Sequence, residues 1–168
     1  MNIILEFDGV TADQQEAWYA AHSAATQAVG WSKLDSATFW RLMRTKGRQA
    51  DLLPAARPVK LAEYWTKFDQ LVESDEWVGK LTVDEDCSAT LMALTRHGEL
   101  RLVTLGSNLE ARQKFLAKHG LTRFFKQFER LDADPRRRPA ELKLLAKSSP
   151  RTIMVSASDA LVRSAGSA

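Results

Sequence analysis

Two carboxylates one residue apart, Glu6 and Asp8, carry the strongest chemical signal in the chain. They follow the apolar run Ile3-Ile4-Leu5 and precede Gly9, a pattern that suits a buried parallel strand running out into a loop. Side chains alternate along a strand, so Glu6 and Asp8 are predicted to project to the same side where the strand leaves the sheet. Two acids so placed repel each other unless a cation or a proton sits between them. The carboxyl end of the strands is also where open α/β sheets bind ligands. Thr104 closes a second apolar run, Leu100-Arg101-Leu102-Val103, just before the turn residues Gly106-Ser107-Asn108. Its hydroxyl either faces a site shared with Glu6 and Asp8 or bonds its own turn. With the two carboxylates ahead of it, the site reading is preferred.

Positioning these groups requires strands that alternate with helices. After the first strand, Thr11-Ala12-Asp13 reads as a helix start, with Trp18, Ala21, Ala25 and Val29 at helical spacing up to Gly30. Asp35 or Ser36 caps a second helix carrying Phe39, Leu42 and Met43 and ended by Gly47, and Pro54 and Pro58 punctuate a loop. A third helix carries Leu61, Tyr64, Trp65, Phe68 and Leu71, so residues 12 to about 78 read as helical hairpins. The second half changes character. Ser88–Thr95 reads as a helix, Leu100–Thr104 as a strand, and Leu109–His119 as a helix closed by Gly120. Phe125–Leu131 is a predicted strand, Ala140–Lys147 a helix, Thr152–Val155 a strand and Asp159–Ala165 a last helix. The alternation predicts an α/β fold with a doubly wound parallel sheet. The order of its strands is not legible.

The segment Glu6-Phe7-Asp8-Gly9-Val10 resembles the opening motif of the haloacid-dehalogenase-like (HAD) superfamily, Asp-x-Asp-Gly-(Thr/Val), with Glu6 in place of the family's nucleophilic Asp. The resemblance continues through Thr104-Leu105-Gly106, the stretch Leu121-Thr122-Arg123-Phe124-Phe125, Arg138-Pro139 where the family carries Lys-Pro, and Val155-Ser156-Ala157-Ser158-Asp159 with Ala165-Gly166. It implies a HAD-like, Rossmann-type core made of residues 1–11 and 83–168, with residues 12–82 forming an inserted α-helical cap, a lid over the active site. It further implies that Glu6, Asp8, Thr104 and Arg138 occupy catalytic positions, Asp8 being the general acid/base. Thr104, Leu105, Gly106 and Arg138 would hold the phosphoryl group. Glu6, Asp8 and, more weakly, Asp159 are the candidate metal ligands.

Three of the four motif stations are altered. The family's metal-binding Asp is Ala157, its Gly is Ser156 and its further Asp is Leu161. Mg²⁺ demands hard oxygen ligands in near-octahedral geometry, so it is expected to bind weakly or not at all. Arg138 can neutralise a phosphate, but a guanidinium fork is not equivalent to an ammonium point charge. In-line attack depends on placement to within about an ångström, which makes Glu6, longer by a methylene, a poor nucleophile in a site shaped for Asp. The expectation is therefore a pseudo-enzyme related to Mg²⁺-dependent phosphohydrolases, with impaired or lost phosphotransfer and a binding or regulatory role. The expected ligand is a small phosphorylated molecule or phosphate-like anion. An active phosphatase using Glu6 is the alternative, and a scaffold for protein or nucleic acid is a third reading.

The 168 residues, 45% hydrophobic, are enough for one core with an accessory lobe. No apolar run nears the ~20 residues that span a bilayer, and no leader pattern opens the chain, so a soluble cytoplasmic protein is expected. The lone Cys87 excludes an internal disulfide and a cysteine-based zinc site. Lys+Arg at 24 nearly balances Asp+Glu at 21, too weak a bias for nucleic acid, and Arg136-Arg137 reads as a solvated loop. His97 and His119 precede glycines at helix ends and are read as structural. The five tryptophans all fall in the helical block and are read mainly as its core.

Overall fold

The computed structural model describes residues 1–46, 58–134, 136–147, 149 and 151–166, with side chains described for all of these except 44–46, 58, 159 and 160. The expected stop at Gly47 and the loop proline Pro54 lie outside the described residues.

Four strands form one parallel sheet. They are β1 (Asn2–Glu6), β2 (Glu99–Thr104), β3 (Phe125–Arg130) and β4 (Thr152–Val155), in the order β3-β2-β1-β4. β1 is central and buried along its whole length. Its register pairs Ile4 with Arg101 and Met154, and Glu6 with Val103. Alternation sends successive β1 residues to opposite faces. Ile4 packs with Val103, Leu131, Leu142, Leu145 and Leu161, which brings α7 (Arg138–Ala146) and α8 (Asp159–Gly166) onto one face. Phe7, with no exposed surface, lies edge-on to Phe115 of α6 (Leu109–Lys118) at 5.6 Å and stacks on Phe128 at 5.8 Å. Helices on both faces explain why β1 reads as an unbroken apolar run. Burying each such aliphatic or aromatic side chain contributes on the order of 1.5–3 kcal/mol.

The chain forms two compact units, Met1–Gln14 with Leu81–Ala168, and Gln15–Lys80. The first helix, α1, spans Gln15–Ala28 and so starts later than Thr11. The reason is a tight turn after β1, in which the N–H groups of Thr11 and Ala12 donate to the carbonyl of Phe7, and Asp13 pairs with Thr82 as an antiparallel bridge. Gly9 makes that turn possible at φ +82°, a conformation open to glycine at little cost.

The inserted unit contains α1, α2 (Ser36–Lys46), α3 (Pro58–Val72) and the short α4 (Asp75–Val78). Ala21, Ala25, Phe39, Tyr64 and Phe68 form its buried centre, and all five tryptophans pack against it. His22 is fully buried there. The Leu34 N–H donates to its Nε2 at 3.0 Å, which leaves Nδ1 to carry the proton toward the Tyr64 hydroxyl at 2.8 Å. The remaining helix, α5, spans Cys87–Thr95 and leads into β2. Among the described residues no helix is long and apolar enough to cross a membrane.

Candidate functional site

The β1 carboxylates end in different hands. Glu6, 4% exposed, is held from the β4 side: its Oε2 accepts from Ser156 Oγ at 2.6 Å and from the Ala157 N–H at 2.9 Å. Ser156 is fixed in turn, since its hydroxyl accepts the Ser158 N–H at 2.9 Å. Burial pushes the Glu6 carboxyl above its ordinary pKa, the Ser156 hydrogen bond pulls it back in part, and the nearby Asp8 charge raises it again. A carboxyl so placed favours its neutral form more than an exposed one does.

Asp8 turns the other way, toward β2 and α6. Thr104 Oγ1 donates to its Oδ2 at 2.5 Å, and Arg112 approaches its Oδ1 through Nη2 at 3.2 Å and Nε at 3.4 Å. The Thr104 hydroxyl, with no exposed surface, also accepts the Gly106 N–H at 2.9 Å. Its single proton and an acceptor lone pair are both committed. The two readings of Thr104 thus coexist: it bonds its own turn and the β1 carboxylate together.

Arg112 is the residue that sequence reasoning missed. It sits in α6, 2% exposed, with Nη1 donating to the Asn108 carbonyl at 3.2 Å and its guanidinium carbon 5.7 Å from the Phe7 ring centre. A Cβ placed on Gly106 would lie 2.0 Å from that carbon, so the guanidinium rests directly on the Gly106 backbone. One signal was present in the sequence. A cation in the opening turns of a helix opposes the helix dipole, and Arg112 lies four residues after the Asn108 cap. Such a residue calls for a carboxylate partner elsewhere.

The other predicted site residues are placed as follows. Leu105 packs against the apolar cluster under α7 and α8. Arg138, 8% exposed, donates through Nε to the Asp132 carbonyl at 2.9 Å and through Nη2 to the Ala133 carbonyl at 2.6 Å. Its guanidinium ties down the loop that leads into α7 and is not joined to Glu6, Asp8 or Thr104. Asp159 opens α8, and its side chain lies outside those described.

Among the described residues, this strand end offers a divalent metal few uncommitted carboxylate oxygens. Mg²⁺ prefers about six oxygens with several carboxylates or waters among them. Here Asp8 is charge-paired to an arginine, Glu6 is shifted toward its neutral form, and position 157 offers a methyl group. Among the described residues no three His, Cys, Asp or Glu side chains gather into a metal-binding group. Gln14 Oε1 is buried without a partner near Gly9, but one neutral amide oxygen does not replace the absent carboxylate.

The fold places this chain among known structures. A haloacid dehalogenase-like hydrolase from Streptococcus pneumoniae superposes with TM-score 0.78 at 12% identity, covering 98% of this chain and 79% of that one. A HAD-superfamily hydrolase of subfamily IA from Geobacter sulfurreducens gives 0.69 at 20% identity, with 99% and 82% covered. The magnesium-bound HAD-hydrolase YfnB of Bacillus subtilis gives 0.57 at 15% identity, with 91% and 78% covered. No family model and no curated protein sequence matches the chain. The fold is HAD-like, as the opening motif implies.

Proposed function

We propose that this chain is a HAD-fold protein that has lost phosphotransfer and acts by binding. The observation that carries this reading is the internal closure of the site. Asp8, the carboxylate that still stands where the fold's acid/base would be, is bonded on one oxygen by Thr104 and on the other by Arg112. A general base must present a lone pair to the substrate at hydrogen-bond distance, and a nucleophile must be ionised and aimed. Glu6 is hindered on both counts: its Oε2 is held by Ser156 and Ala157, and burial works against its charge.

The ligand class favoured by the fold and by the turn after β2 is a small phosphorylated molecule or phosphate-like anion. Of the residues expected to hold it, Thr104 and the Gly106 N–H are bonded to each other and Arg138 to its own loop, so an anion at this turn would have to displace internal hydrogen bonds. The inserted helices are read as the cap and the setting as cytoplasmic.

The test is turnover of an aryl phosphate with Mg²⁺ by the natural chain and by a Glu6→Asp/Ala157→Asp variant, which restores two carboxylate positions. The natural chain is expected to stay at the level of the protein-free blank. Turnover by the variant alone locates the loss at those two positions. Turnover by the natural chain overturns the reading and makes Glu6 a catalytic residue.

A further inference from the structure

We propose that the amino-terminal end of the sheet, opposite the end that carries Glu6 and Asp8, is a docking surface for a nucleic-acid backbone, held by charge and not by base sequence. The inference goes beyond the reading of the Glu6 and Asp8 site and does not depend on it.

The near balance of charge over the whole chain conceals a segregation. Residues 1–14 and 81–95 hold six Asp and Glu and no Lys or Arg, whereas residues 96–151 hold 14 Lys and Arg against six Asp and Glu. The fold then sorts these charges by end. Strands of a parallel sheet all start at one end, so the segments leading into β2, β3 and β4 gather there. Residues 96–99, 118–126 and 147–151 supply Arg96, Lys118, Arg123, Lys126, Lys147 and Arg151, and all six are exposed. The one acid in these segments is Glu99, which is already paired with Lys126 and lies 3.9 Å from Arg101. Asp132 and Asp134 follow β3 and so stand at the other end. Backbone bonds tie the segments to β1: the Glu99 N–H donates to the Met1 carbonyl at 3.0 Å, and the Asn2 N–H to the Arg151 carbonyl at 2.9 Å. Strands lie ~4.8 Å apart, so the three spacings from β3 to β4 spread the cations over about 14 Å.

Helix dipoles account for half of this row. A cation is favoured at a helix C-terminus, and Arg96, Lys118 and Lys147 stand in or beside the last turns of α5, α6 and α7. Arg123, Lys126 and Arg151 close no α-helix, so helix stability does not explain them. Like charges gathered on one face repel each other, and a polyanion relieves that repulsion. A phosphate backbone supplies closely spaced negative charge and asks for nothing else from the surface. A lipid surface fits less well, because holding it also takes apolar side chains set among the cations. Among the described residues of these three segments no large apolar side chain is exposed.

The experiment is fluorescence anisotropy of a labelled DNA duplex of ~20 base pairs and mixed sequence, titrated with the full chain from ~50 to ~200 mM KCl. Four to six phosphate contacts give a plot of log K against log salt with a slope of about −3 to −5, a loss of about 100- to 1,000-fold over that range. Neutralising Arg123, Lys126 and Arg151 together to Gln is expected to make the slope shallower by about 3. A control with the same change in net charge, Lys67→Gln/Arg136→Gln/Arg137→Gln, is expected to keep the natural slope. Glu99→Gln removes the one acid of the row and frees Lys126, and is expected to tighten binding about threefold at ~50 mM salt. Circular dichroism checks that each variant is folded, and if the triple variant is not, the natural slope and Glu99→Gln still decide. The proposal is overturned by a natural chain that does not bind at ~50 mM salt or binds independently of salt, by a control that weakens as much as the test variant, or by Glu99→Gln binding no tighter. Tighter binding to phosphatidylglycerol vesicles than to the duplex at equal salt would overturn the choice of partner. Phosphatase turnover, present or absent, leaves each of these results unchanged.

Discussion

Acidification should weaken the helical unit through one side chain, His22, and by an amount the structure sets. The imidazole is buried between Phe39, on which it stacks at 4.6 Å, and Tyr64, and its Nε2 serves as acceptor for the Leu34 N–H. Protonation would remove that acceptor and place a cation in an apolar site near Lys33. Burial, and then the Lys33 charge, lower its pKa from 6.5 to about 4. The folded state therefore excludes a proton that the unfolded chain accepts below pH ~6.5. Stability from this source is complete above ~6.5 and is lost as pH falls toward the folded value. With those two pKa values the loss is about 1.4 kcal/mol near pH 5.5, about 2.6 kcal/mol near pH 4.5, and tends to about 3.4 kcal/mol below pH 4. All five tryptophans lie within Gln15–Lys80, so urea unfolding read by tryptophan fluorescence reports on this unit. His22→Gln, which cannot titrate, isolates the effect from the carboxylates that also titrate in this range. The gap between the natural chain and the variant should narrow by about 2.6 kcal/mol between pH ~7.5 and ~4.5. Two curves that stay parallel across that interval would refute the reasoning.

Two further outcomes concern the end of β1. Gly106→Ala should force the Arg112 guanidinium to retreat by about 1.5 Å from an impossible 2.0 Å contact, breaking its bond to Asp8 at an expected cost of about 2–4 kcal/mol. The same alanine in an Arg112→Met background should cost under about 1 kcal/mol, and equal costs in the two backgrounds would show that the contact does not matter. Glu6→Gln keeps an acceptor oxygen for Ser156 and Ala157 and removes a group whose folded pKa is raised. The natural chain loses stability from Glu6 as pH rises from ~4.5 through the folded pKa, and the glutamine does not. Urea titrations should show the variant gaining on the natural chain as pH rises, and a loss of more than about 1 kcal/mol at neutral pH would contradict the assignment.

Much of this protein was legible in the order of its residues. The β1 run is apolar because both faces of a central parallel strand are covered, and that pattern needs no partner to be recognised. The pair Glu6 and Asp8, the strand-closing Thr104 and the departures at Ser156, Ala157 and Leu161 are local, so they could be read one station at a time. Tertiary structure alone decided what those groups do to one another. Glu6 and Asp8 share a strand end, yet one is held from β4 and the other from β2, because neighbours in a sheet are set by strand order and not by chain order. Arg138, adjacent to a helix-opening proline, is bound by carbonyls of its own loop, a choice that depends on loop geometry. Arg112 could be noticed as a cation in the wrong turn of a helix, but its partner lies 104 residues away. Charge type and periodicity are properties of the sequence, whereas desolvation and pairing, which fix whether a carboxylate can act, arise only when distant segments are packed together.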